Sequence, residues 1–191
     1  MSNVDEKESK STIHPMKFGL YLSFASIVMM FAGLTSAYIV RQAAGYWLEF
    51  RMPNWFFVSA GVILLSSITL HASYLAFKNG KPQAYRILMV VSFLLGLGFM
   101  CTQYMGWNSL QNSGIDLKDN PSGAFVYAIS WLHAGHVIGG IAAIGIALVH
   151  AFALDYKVTE QRKLRFEMTL QYWHFVDILW IYLLLFFLLQ H

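Results

Sequence analysis

Charge is scarce in this chain. Only 12% of its 191 residues are Asp, Glu, Lys or Arg, against about 25% in a soluble domain. That shortage, beside 57% hydrophobic residues, excludes an ordinary soluble domain and places the chain in a membrane. The 13 basic residues only slightly outnumber the 10 acidic ones and are scattered. A nucleic-acid-binding face, which needs a concentrated basic patch, is excluded on the same ground. Cysteine is nearly absent. Cys101 stands alone in an apolar segment, so an intrachain disulfide is impossible and the residue reads as a small core side chain. Proline is missing from the interior of every long apolar run, and no strand alternation occurs.

What is present is a set of long apolar stretches. A membrane helix needs about 20 such residues. Five runs qualify, at roughly 18–40, 55–77, 87–107, 124–152 and 168–190. Polar links separate them: "RMPN" (51–54), "KNGKPQ" (78–83), "NSGIDLKDNPSG" (112–123) and "DYKVTEQRK" (155–163). The expected fold is all-α, a polytopic bundle of five transmembrane helices. It forms a single domain over 18–191 after a polar tail at 1–17. The first run is longer than the 7–15 residues of a signal-peptide core and is read as an uncleaved helix.

Basic residues sort by side. Lys7, Lys10, Lys17, Lys78, Lys81, Arg86, Lys157, Arg162, Lys163 and Arg165 fall on one side of the membrane, and Arg41, Arg51 and Lys118 on the other. The positive-inside rule then puts the N-terminus in the cytoplasm and the C-terminus outside. Five spans require that split.

Ionisable residues inside spans are costly and point to function or to internal pairing. The last run has Glu167, His174 and Asp177. At 100° per residue they fall within about 80° of one another, on one face. That face is expected to meet the histidines of the fourth run. There His133, His136 and His150 lie on one side, and the second run adds His71. Three readings of these groups stay open: haem or metal ligation, proton transfer, and mutual hydrogen bonding that fixes helix packing. Small residues form two stripes, Gly19, Ser26 and Gly33 on the first helix and Gly135 and Gly139 on the fourth. Such stripes serve close packing within the bundle or against another subunit. Trp47, Trp55, Trp107 and Tyr46 lie near span ends, as an interfacial belt requires.

Two segments carry a resemblance. "SWLHAGHVIGG" (130–140) followed by "YWHFVDILW" (172–180), with Phe166-Glu167 upstream, resembles subunit III of the haem–copper terminal oxidases of the cytochrome c oxidase type. Gly19, Ser26, Phe31, Gly33 and Ala37 in the first run are similar to that family's third helix, and "TQYMGW" (102–107) to its Gln-containing helix end. The chain resembles the five-helix form. The resemblance implies an accessory subunit with no catalytic centre, redox cofactor or metal of its own. Haem and copper would sit in its partners, subunits I and II, and electrons would pass from cytochrome c to oxygen. It further implies phospholipid binding, support of proton uptake and a bacterial inner-membrane location, and it leaves open membership of a larger respiratory supercomplex. Three positions depart from the family pattern. Ile27 stands where the family has an intramembrane Glu, Gly106 where it often has Glu, and His150 where it has a lipid-phosphate-binding Arg. His150 and Lys157 are the residues expected to meet a headgroup, His150 best when protonated.

Two alternatives to a cytochrome c oxidase subunit remain open at this point. One is subunit III of a quinol oxidase. The other is a bis-histidine membrane cytochrome using His71, His133 or His136, and His174. A small proton-coupled transporter built on Glu167, His174 and Asp177 is disfavoured by the lack of an internal repeat.

Overall fold

A computed structural model describes residues 15–190 apart from 46, 49, 116–119 and 155. The expected tail lies outside the described residues up to position 14, and so do Tyr46 and Lys118. Five helices are present: α1 (Pro15–Ala43), α2 (Asn54–Lys78), α3 (Pro82–Asn112), α4 (Pro121–Ala153) and α5 (Glu160–Leu189). All five are long and apolar enough to cross a membrane. No strand occurs among the described residues. The chain is a multi-pass, all-helical membrane protein.

Each helix overruns its hydropathy-defined span because polar residues continue the coil into the links. The starts have local causes. Pro82 and Pro121 occupy the first turns of α3 and α4, where a missing N–H costs nothing. The Asn120 side chain accepts from the Ser122 N–H at 3.2 Å, and the Thr159 hydroxyl from the Arg162 N–H at 3.3 Å. The α2–α3 turn bends at Gly80, whose φ of 70° favours glycine.

α2 and α3 form a tight hairpin. Ser59, Ser66 and Ser73 recur every seven residues along α2 and are fully buried. Ser66 donates to the Ser92 carbonyl at 3.0 Å, Ser73 donates to the Tyr85 carbonyl at 2.9 Å, and Ser59 accepts from the Gln103 amide at 3.1 Å. Small hydroxyl residues let two backbones approach and then bond across the gap. α5 lies antiparallel against both α2 and α4. Its fully buried Trp173 and Trp180 fill the centre. A Cβ at Gly140 of α4 would stand 2.8 Å from the Trp173 ring, and one at Gly96 of α3 would stand 3.1 Å away. The indole thus fits because Gly140 has no Cβ, and Gly96 keeps its far side uncrowded.

α1 is the outlying helix. It packs on α4 and α5 and not on α2. Phe24 stacks on Phe175 at 4.3 Å, Thr35 shares a hydrogen bond with Tyr182 at 3.2 Å, and Gln42 donates to the Gln190 carbonyl at 3.0 Å.

The stripes expected to pack helices divide. A Cβ at Gly19, Gly33 or Gly135 would meet nothing within 4 Å among the described residues, and Ser26 is exposed. Gly139 only touches the Tyr172 hydroxyl at 3.5 Å, so Gly140 rather than the Gly135–Gly139 pair makes the close approach. Cys101, expected inside, is exposed. An outward face in lipid is as apolar as a core, so hydrophobicity does not tell the two apart.

Candidate functional site

The polar face of α5 forms as the periodicity requires, but it meets α2 rather than the histidines of α4. At its N-terminal end Glu167 receives two donors. Lys17 of α1 reaches one carboxylate oxygen at 3.0 Å, and the Tyr74 hydroxyl of α2 donates to the other at 2.6 Å. One carboxylate therefore links three helices. Two turns deeper, His174 Nδ1 is hydrogen-bonded to the Ser67 hydroxyl. Its ring lies 5.7 Å from that of His71. A further turn on, Asp177 is buried beside Ser67, with neither oxygen hydrogen-bonded to another described residue. The site therefore descends the α2–α5 seam from the membrane edge, at Glu167, towards the centre, at Asp177.

The two histidines of "HAGH" separate. His133 is fully buried and stacks on Trp180, with ring centroids 5.1 Å apart and planes at 24°. Phe99 and Phe31 close two further sides at 6.0 and 6.3 Å. Neither ring nitrogen of His133 finds a partner among the described residues. His136 is half-buried towards α1. Its Nδ1 lies 2.8 Å from the Leu132 carbonyl, and its own carbonyl accepts from the Tyr172 hydroxyl at 3.0 Å. Among the described residues no three or more His, Cys, Asp or Glu side chains are grouped to hold a metal ion.

A cavity of about 420 Å³ opens where the end of α4 meets the start of α5. Its walls include Met16, Phe77, Ile146 and Phe166, and its polar groups include His150, Arg162 and Arg165. The lining is apolar along the helices and cationic at their ends, which suits an amphiphile with an anionic head. Arg162 and Arg165 are two residues that sequence reasoning passed over as ordinary link charges. The signal was their spacing at the start of α5, within reach of the His150 turn. Lys157 is exposed and does not line the cavity.

Two departures from the family pattern acquire a physical setting. Ile27 packs against the hydrophobic core. A side chain at 106 would stand 3.0 Å from the Phe56 ring, so Gly106 makes room for that aromatic.

Comparison with known proteins agrees with the fold. Residues 49–190, which include every element of this seam except Lys17, match the family described as cytochrome c oxidase subunit III. The chain belongs to that family. It is 30% identical over 169 residues to the probable cytochrome c oxidase subunit 3 of Mycobacterium bovis, covering 85% of this chain and 82% of that one. A protein of the same description from Nocardia farcinica is also 30% identical, over 173 residues with the same coverage. The cytochrome c oxidase subunit 3 of Cyprinus carpio is 24% identical over 182 residues, 88% of this chain and 67% of the fish protein. As a subunit III of a haem–copper oxidase, the chain is part of a multi-subunit membrane complex.

Proposed function

We propose that this chain is the accessory, non-redox subunit III of a proton-pumping cytochrome c oxidase. It sits in a bacterial inner membrane with its N-terminus on the cytoplasmic side. It binds subunits I and II, which hold the haem and copper, and it supports the larger subunit during sustained turnover. The observation that carries this reading is the polar face of α5 lying as a seam against α2, where Glu167 pairs with Tyr74 and Lys17 and His174 of the matched "WHFVD" stretch meets Ser67 and His71. Groups arranged in this way orient helices. The matched relatives are named for cytochrome c, which favours that donor over quinol.

The cavity between α4 and α5 supports a bound phospholipid. Arg165 and His150 would hold the phosphate, and the acyl chains would follow Ile146 and Ala147 along α4. Arginine pairs with phosphate through a planar fork, which compensates for the histidine that stands in the family's arginine position. An affinity tag on the chain, with purification from its own membranes in mild detergent, tests the reading. Haem–copper subunits and a reduced-minus-oxidised haem spectrum should come with it. Omitting the chain should leave initial oxygen consumption largely intact and speed its decay. A Soret band from the isolated chain would overturn the proposal.

A further inference from the structure

We propose that the exposed stripe Leu64, Ile68, His71 and Leu75 on α2 seats a transmembrane helix of another subunit, one that presents a carboxylate or carboxamide to His71. The proposal rests on the reading of the chain as one subunit of a larger complex, and it names a contact which that reading does not.

The spacing of the stripe is four, three, four, which repeats along one helical face. Leu64, Ile68 and Leu75 are 46%, 65% and 46% exposed, and His71 is exposed among them. Among the described residues no helix covers the stripe, because α1 packs on α4 and α5 rather than on α2. A stripe of aliphatic residues facing lipid would need no partner. The histidine breaks that pattern. It lies seven residues inside Lys78, about 10 Å along the helix axis.

Polar residues at that depth almost always face protein or water. Within the described residues the His71 ring makes no hydrogen bond. The neighbouring Ser67 hydroxyl is committed to His174, which leaves His71 a ring contact with His174 and an open outer edge. One polar position in an otherwise aliphatic seam fixes register and partner choice in packed helices. A neutral imidazole carries one N–H to donate and one bare nitrogen to accept, and a carboxylate or carboxamide oxygen is the acceptor that satisfies the N–H.

Other occupants fit less well. A phospholipid phosphate sits at the membrane edge, at the depth of Lys78 rather than His71. A second copy docking face to face through α2 would offer neither group at this depth, because α2 contains no Asp, Glu or Gln and its one Asn, Asn54, stands at the opposite end of the helix from His71. A helix of a different subunit meets the requirement.

The test uses the assembled complex. Ile68 is replaced by the photo-crosslinking residue p-benzoylphenylalanine with His71 intact, and Leu75 is replaced likewise in a second preparation. After irradiation the linked peptides are identified by mass spectrometry. The expected product joins this chain to a transmembrane helix of another subunit, with Asp, Glu, Asn or Gln within one turn of the attachment. His71→Leu should lower the yield of that product about ten-fold, the scale of one interhelical hydrogen bond, and His71→Gln should preserve most of it. Crosslinks from both positions to lipid alone, to a second copy or to nothing would overturn the proposal. So would an undiminished crosslink in His71→Leu. Co-purification of haem-bearing subunits with the unsubstituted chain reports separately on the subunit reading, so the two failures are distinguishable.

Discussion

Gly140→Ala should measurably destabilise the isolated chain, although it adds a single methyl group. The new Cβ would stand 2.8 and 2.9 Å from two atoms of the Trp173 ring and 3.2 Å from Tyr172. Trp173 has little room to retreat, because its far edge lies against Gly96 on α3, so close that a Cβ there would stand 3.1 Å away. Forcing a methyl into a filled core costs about 1–3 kcal/mol. Alanine is also a better helix former than glycine by up to about 1 kcal/mol, which masks part of that cost. Gly135→Ala supplies the reference, since nothing lies within 4 Å of its Cβ position on the same helix. The difference between the two variants isolates the clash at about 1–3 kcal/mol. Reversible unfolding by SDS in detergent micelles, followed by far-UV circular dichroism, measures both. Trp173→Phe should couple to Gly140→Ala, so that the double variant loses less than the two single losses combined. If Gly140→Ala and Gly135→Ala agree to within about 0.5 kcal/mol, the wedge of Trp173 between α3 and α4 is wrong.

Three further outcomes follow from the polar groups of the bundle. Glu167→Gln or Lys17→Ala should loosen the start of α1 by up to about 1 kcal/mol, the range for a half-exposed ion pair. Hydrogen exchange over residues 15–24 would rise accordingly, and unchanged protection in both variants would refute the link. His133→Leu should be neutral or stabilising, because it replaces unpartnered ring nitrogens with an apolar group of similar bulk. His133→Ala, which opens a cavity beside Trp180, should cost about 2 kcal/mol or more in the same unfolding assay. A larger loss in His133→Leu than in His133→Ala would show that the imidazole has a polar partner. Asp177→Ala should weaken retention of the chain in the complex and hasten the decay of oxygen consumption during turnover. Unchanged retention and unchanged decay would remove Asp177 from the seam's role.

Five helices were legible because a lipid-crossing segment must be long and apolar, and nothing else in the chain is. Their ends were not. α3 begins at Pro82 rather than 87 and α5 at Glu160 rather than 168, because hydropathy follows the hydrocarbon and a helix outlasts it. The shared face of Glu167, His174 and Asp177 followed from period alone, but period does not name the element opposite. Ser67, His71 and Tyr74 took the place expected of His133 and His136. The α2 serines at 59, 66 and 73 carried a readable seven-residue repeat. They carry less hydrophobic signal than the glycine repeat on α1, which packs on no other helix among the described residues. Cys101 shows the general difficulty. In water a hydrophobic residue points inwards, whereas in lipid both directions suit it.

The serine ladder between α2 and α3 also bears on the order of biogenesis. Ser59, Ser66 and Ser73 would enter the bilayer with their hydroxyl groups needing partners, and α3 supplies those partners after a turn of only a few residues. The hairpin can therefore insert as a pre-paired unit before α4 and α5 have left the ribosome. The two tryptophans of α5 would then meet one wall of their groove, at Gly96 and Phe99 of α3, already in place.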